Sequence, residues 1–321
     1  MSSPTMSATG LVNRVSAQVS GSTASGRKLS LGKQLLLQAI LLLVAFTVLF
    51  PLLWVVSLSL DPRNISRPTE LRLIPPGASV RAYTAVIERP TNNKISFAGL
   101  AFNSLKLAAG TSVASVLIGV LAAYSFSRFR FRGREVLMLS VLTVLMLPSI
   151  ATLPALYVLL NRVQFLNPQT GKMLFNLRDS LLGVGFAMTS GLLPFAIWNL
   201  KGFLDTIPRE LEEAAIIDGA SPNQVFIRII LPLAVPALAV TAFLGFMSGW
   251  TEFAISWQFL NQVKDHTLMM ELYNMIGQYA DNTPWSKFAA MSILVALPVS
   301  AVYLALQKYI VGGLTVGGVK G

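Results

Sequence analysis

Five of the chain's 14 acidic residues, Asp205, Glu210, Glu212, Glu213 and Asp218, crowd one short segment, "DTIPRELEEAAIIDGAS". Carboxylates at that density suit metal binding, proton transfer or display of charge to a basic partner. The chain has no cysteine and a single histidine, His266, so it offers no thiolate or histidine cluster for a metal. No Ser/His/Asp or paired-carboxylate constellation sits at workable spacing, and no GxxxxGK[ST] loop is present to hold ATP. No catalytic residue and no metal site are therefore expected. What remains is a charged surface.

The local pattern reads as helix, turn, helix. Asp205 and Thr206 stand where an N-cap belongs, with Pro208 in the first turn. Glu210, Glu212 and Glu213 follow near the N-terminus, where the helix dipole favours negative charge. Gly219 fits the left-handed position that ends a helix. Ser221, Pro222 and Gln224 then form a second start: N-cap, first-turn proline and third position of a capping box. Acids alone would suit a solvated surface helix. Ala214-Ala215 followed by Ile216-Ile217 suits a helix that seats on another body, because small residues permit close approach and exposed isoleucines ask for burial. The pattern by itself leaves both readings open.

The elements around this segment are apolar. Hydrophobic residues make up 54% of the 321 and charged residues 12%, with a mean hydropathy of +0.63, which indicates a polytopic membrane protein. The fold class expected is all-α, with six membrane spans at about 35–60, 100–127, 136–160, 180–203, 229–256 and 287–311. The first is too long for a signal-peptide core and is expected to remain as an uncleaved span. Residues 1–33 carry bases without acids among Ser, Thr and Gly, and read as a disordered cytoplasmic tail. Arg128, Arg130, Arg132 and Arg134 between spans two and three place that loop inside as well. Six spans then put both termini in the cytoplasm. The net charge of +11 is explained by bases flanking the spans. No nucleic-acid partner is expected, since those bases lack a base-stacking aromatic pattern. The proline-rich 61–98 loop is expected to be an irregular external cap or short helices.

Glu213-Ala214-Ala215, three residues, Gly219, nine residues, Ile229, one residue and Leu231-Pro232 reproduce the spacing of a motif shared by permease subunits of ATP-binding-cassette importers. Together with "FLDTIP", "ELEEAAIIDGASPNQVFIRIILPLAVPALAV" and the closing "GLTVGGVKG", the chain resembles the second permease of maltose-type importers from about residue 35 to its end. The resemblance implies a bacterial cytoplasmic-membrane location and a fold of six spans (residues 34–311) in which a coupling-helix loop, 205–228, docks on a cytoplasmic ATPase. Docking residues would be Glu213, Ala214, Ala215, Asp218, Gly219 and Ala220. Glu213 would pair with a basic residue, and the two alanines would permit close seating. It implies a heterodimeric pathway formed with a second, different permease, two copies of the ATPase, and an extracytoplasmic sugar-binding protein. ATP and Mg would belong to the ATPase subunits, leaving this chain without a cofactor. A Gly-rich cytoplasmic tail, 312–321, would reach the ATPases through Gly317, Gly318 and Lys320. The last external loop, with Gly277, Tyr279, Asn282 and Trp285, would contact the binding protein.

Sugar sites combine aromatic faces with hydrogen-bonding groups, which makes Trp198, Asn199, Trp250 and Tyr157 pathway candidates. Glu252 belongs either to the membrane interface or to an outer gate. Tryptophan near a span end serves equally as an interfacial anchor. The Gly245 and Gly249 pair is expected to let helices touch, against the partner permease. The substrate stays open between maltodextrins, another oligosaccharide, trehalose and glycerol-3-phosphate. A phosphate substrate would want pathway arginines, and the spans lack one at their middle. An ion-gradient transporter would want midspan carboxylates, which are also missing.

Overall fold

The computed structural model describes residues 30–65, 72–166, 168, 170, 173–277 and 283–317. The chain divides into two compact units, Met1–Leu53 and Trp54–Gly321. The described part of the first is most of helix α1 (Leu31–Leu60), thirty residues of which most of the large apolar side chains, among them Leu41, Leu42 and Phe46, stay exposed within the chain. The hydroxyl of Thr47 donates to the Leu43 carbonyl, so even this polar group is satisfied inside the helix, as hydrocarbon requires. The helix begins at Leu31, so the tail expected to reach residue 33 gives way to helix earlier.

The second unit is a helical bundle. It runs α2 (Arg81–Glu88), α3 (Phe97–Arg128), α4 (Arg134–Leu145), α5 (Ser149–Asn161), β1 (Gln164–Leu166), β2 (Met173–Asn176) and α6 (Leu181–Leu204). There follow α7 (Glu210–Ile217), α8 (Pro222–Val225), a π turn over Phe226–Ile230, α9 (Leu231–Leu233) and α10 (Val235–Trp250). The chain ends with α11 (Ala254–Phe259), a 3-10 turn at Val263–Asp265, α12 (Leu268–Asn274) and α13 (Trp285–Gly317). The two strands form an antiparallel hairpin that pairs Gln164 with Asn176.

Helices α1, α3, α6 and α13 are each long and apolar enough to cross a membrane. Two bent helix pairs bring the number to six if each counts as one span. Helices α4 and α5 meet at 108° around Leu147-Pro148, and the run Pro222–Leu233 meets α10 at 73°. The expected third span at 136–160 is thus broken, at a proline that denies the backbone a donor. The sixth, expected at 287–311, matches the apolar stretch Trp285–Ile310, and its helix continues to Gly317.

The bundle centres on α3, which packs against α6 and α10. Small residues make this possible. A Cβ placed on Gly249 would stand 2.6 Å from the Ala108 Cα, and one on Gly245 would stand 2.8 Å from the Ser112 Cα. The glycine pair of the fifth span is therefore spent on the chain's own second span, correcting the expectation that it serves the partner permease. Gly119 lies similarly against Ala196 and Leu200 of α6.

The 61–98 loop contains one helix, α2, and is otherwise irregular among the described residues. Its end is tied to α12 by a buried carboxylate. Glu271 accepts from Thr91 Oγ1 at 2.5 Å and from Asn93 Nδ2 at 2.7 Å, and His266 Nδ1 lies 2.6 Å from it. Asn103 of α3 donates to the carbonyls of Lys264 and His266.

Candidate functional site

The acidic segment folds as helix, turn, helix, with one correction. Asp205 and Thr206 do not cap α7. Asp205 closes the preceding helix α6, and α7 starts after Arg209 without a side-chain cap. Asp205 is held there by Lys201 Nζ (2.5 Å) and Ser127 Oγ (2.6 Å). Burial pushes its carboxyl up, but these two hydrogen bonds outweigh that and leave it below the usual carboxylate range.

The other end of α7 follows the expectation. Gly219 takes φ +89°, its N–H bonds to the Ile216 carbonyl at 3.0 Å, and the Ala220 N–H bonds to the Ala215 carbonyl at 2.9 Å. That pair of bonds is the Schellman arrangement, which needs a left-handed residue at the helix end. The capping box then forms in full, with Gln224 N donating to Ser221 Oγ and Ser221 N donating to Gln224 Oε1. Caps on both sides of Gly219 fix the angle between α7 and α8.

The two faces of α7 differ. Outward stand Leu211, Glu213, Ala214, Ile216, Ile217 and Asp218, with Ile217 85% exposed. Inward, Ala215 and Ala220 pack against a cluster built from Ala123, Leu200, Leu204, Val225 and Ile230. The smallness of Ala215 thus serves the chain's own core, whereas Ala214 is free to seat against another surface. Of the six expected docking residues, Glu213, Ala214, Asp218 and Gly219 are exposed.

Beneath α7 lies a polar network that the sequence reading missed. Glu212 pairs with Arg128, the last residue of α3, and their side chains are only 13% and 7% exposed. Tyr124 donates its hydroxyl to the second Glu212 oxygen at 3.2 Å. Arg128 also donates to the Ile207 carbonyl and to Ser127 Oγ, and Arg209 donates to the Ser127 carbonyl at 2.9 Å. In the structure Arg128 closes α3 and Glu212 takes the inward side of α7, a pairing across 84 residues of chain that no local pattern announces.

The remaining candidates scatter. Trp198 and Asn199 line a cavity of about 810 Å³ with Met138, Leu142, Pro236 and Val240. Asn199 also reaches Thr241 Oγ1 at 3.3 Å. Tyr157 stacks under the Arg178 guanidinium, 4.9 Å from its ring centre. Trp250 is buried, stacked on Phe246, and donates its indole N–H to the Val295 carbonyl at 2.9 Å. Glu252 is buried too, and caps α11 by accepting from the N–H groups of Ile255 and Ser256 and from the Ser256 hydroxyl. These two side chains are thus committed to packing and capping. In the loop expected to be the last external one, Gly277 N donates to Thr283 Oγ1 at 2.9 Å, and Trp285 starts α13. Tyr279 and Asn282 lie outside the described residues, as do Gly318 and Lys320, whereas Gly317 ends α13. Among the described residues no group of His, Asp or Glu could hold a metal ion.

An all-α bundle of long apolar helices that displays a short acidic helix with exposed isoleucines is a multi-pass membrane component. The chain belongs to the family of binding-protein-dependent transport system inner membrane components, whose model matches residues 115–316. It is a permease of the ATP-binding-cassette importer type, a transport component rather than an enzyme. The chain is 35% identical over 285 residues to the maltose/maltodextrin transport system permease protein MalG of Yersinia pestis, covering 85% of this chain and 89% of that one. It is 33% identical over 282 residues to the galactooligosaccharides transport system permease protein GanQ of Bacillus subtilis, covering 88% and 94%. Its fold is similar to a chain of a bacterial ABC transporter involved in the import of the acidic polysaccharide alginate, with a TM-score of 0.63 at 21% identity over 96% of this chain and 99% of that one.

Proposed function

We propose that this chain is one half of a heterodimeric pathway in an importer of maltodextrin-like oligosaccharides, energised by ATP hydrolysed on two copies of a cytoplasmic ATPase. ATP and Mg are held by those subunits, and both termini of the chain lie in the cytoplasm. The observation that carries the reading is the outward face of α7, where Glu213 and Asp218 flank Ile216 and Ile217. Burying those isoleucines is worth about 1.5–3 kcal/mol each, and the acids select a basic partner. Similarity to MalG and GanQ supports a neutral oligosaccharide, delivered by a binding protein that meets the loop between Gly277 and Trp285. Trp198 and Asn199, which line the open cavity, are the pathway residues this reading favours; the sugar rings would stack on the indole and hydrogen-bond to the amide.

The test is purification from native membranes in mild detergent, beside a Glu213→Lys variant. A second permease and an ATPase should accompany the wild type, and the variant should lose most of its ATPase. A chain that comes down alone, or an ATPase indifferent to Glu213→Lys, would overturn the reading.

A further inference from the structure

Resting on that coupling role, we infer that the Arg128–Glu212 pair is the rigid link by which α7 drives α3, so that α3 takes the stroke before α10, the span that follows α7 in the chain. Two routes lead from α7 into the bundle. The covalent route to α10 is compliant. It passes a π turn at Phe226–Ile230, then Pro232, then a 73° break at Ala234, then Pro236. Each proline lacks the N–H that would tie its turn together, and π turns and breaks of this kind are where helices bend.

The route to α3 is stiff. Both carboxylate oxygens of Glu212 are held by α3 side chains, one by Arg128 and one by Tyr124. The Arg128 guanidinium in turn holds the Ile207 carbonyl at 3.0 Å, just ahead of α7. Arg209 and Asp205 clasp Ser127 from the linker between α6 and α7. Charge-assisted bonds shielded from water are the strong ones, and their fork geometry fixes direction as well as distance. A cation at the last residue of α3 is favoured by its helix dipole. Helix α3 then lies against α6 and α10 at glycine contacts too tight to slide freely, so its displacement spreads to both.

Glu212 is therefore a positioning residue, and Glu213, its neighbour, a docking residue. The test uses the complex with its co-purifying subunits in lipid vesicles, carrying Glu212→Gln or, as the milder change, Tyr124→Phe. Three quantities are read: ATPase retained, sugar taken up, and ATP hydrolysed per sugar. Loss of a hydrogen-bonded charge pair predicts that Glu212→Gln keeps its ATPase while ATP spent per sugar rises ~10-fold, and that Tyr124→Phe shows the same signature at ~3-fold. A ratio within ~2-fold of wild type in Tyr124→Phe and in any assembled Glu212→Gln would overturn the link, since bonds of this class are worth more than that. Loss of the ATPase by Glu212→Gln alongside Glu213→Lys would also overturn it, by making Glu212 part of the docking face. If Glu213→Lys keeps its ATPase, the docking reading itself fails, a result separable from either.

Discussion

Glu212 and Glu213, adjacent in the chain, point in opposite directions: the first is buried against Arg128 and the second is exposed on the outer face of α7. Salt separates their roles. Exposed charges a Debye length apart are screened, whereas a shielded pair is screened far less. Raising ionic strength from about 0.05 M to about 0.5 M should release the ATPase from the purified complex. It should leave the thermal unfolding of the permease nearly unchanged. Unfolding that shifts in step with ATPase release would place the salt-sensitive contact inside the chain instead.

Gly219 isolates backbone strain from crowding. Its φ is +89°, yet nothing lies within 4 Å of where a Cβ would stand. An ordinary L-residue in that conformation costs about 1–2 kcal/mol, with Asn the mildest and a β-branched residue the worst. Retained ATPase and uptake should therefore fall in the order Gly219, Gly219→Asn, Gly219→Ala, Gly219→Val. Normal transport by Gly219→Val would refute the assigned turn.

Gly249 presents the opposite case, crowding without strain. A Cβ there meets the Ala108 Cα at 2.6 Å and the Leu107 carbonyl oxygen at 3.0 Å, backbone atoms that cannot rotate away. Gly249→Ala should force α3 and α10 apart and cost about 1–3 kcal/mol, the usual penalty of overpacking. Gly191→Ala, in a helix with open space around it, should be neutral or stabilising by up to about 1 kcal/mol. Thermal melts of the two variants in one detergent make the comparison.

These cases show where the sequence was readable. Ser221, Pro222, Gln224 and Gly219 act within a few residues of themselves, so their cap and turn could be read from spacing and found in place. The apolar runs were legible for the same reason, since hydropathy is a local property. What failed was whatever depended on a distant partner. Asp205 looks like an N-cap until Lys201 and Ser127 claim it. Gly245 and Gly249 advertise a close helix contact without saying with which helix. Ala214 and Ala215 are identical in type, and only packing decides that one faces out and the other in. Arg128 and Glu212 are far apart in the chain, and no local pattern joins them.

Trp198 and Trp250 divide the pathway candidates. Trp198 is half exposed on an open cavity, while Trp250 is buried and bonded to Val295. Trp198→Ala should raise the half-saturating sugar concentration or lower uptake several-fold, stacking being worth about 1 kcal/mol or more, without lowering the melting temperature. Trp250→Ala should act through stability, costing about 3–5 kcal/mol as large-to-small core changes do. Unaltered uptake by Trp198→Ala would remove that residue from the path.

The contact between α12 and the 61–98 loop carries a pH dependence whose sign follows from Glu271. Burial pushes its carboxyl up, but the hydrogen bonds from His266, Thr91 and Asn93 outweigh that, leaving it below the ordinary value of 4.5. A carboxyl depressed on folding stabilises the fold above its unfolded value, and that contribution is lost as pH falls through the folded one. The tie between α12 and the 61–98 loop should thus hold from neutral pH down to about 4.5 and loosen below it. Glu271→Gln exchanges an ionised acceptor for an amide amid the same donors. It should cost about 2 kcal/mol at pH 7, as a charged hydrogen bond does, and flatten the acid limb of the melting curve. Protection of the α12 backbone amides from hydrogen exchange, followed against pH, reads the same event locally. An acid limb that Glu271→Gln leaves unchanged would assign the loss to another carboxylate.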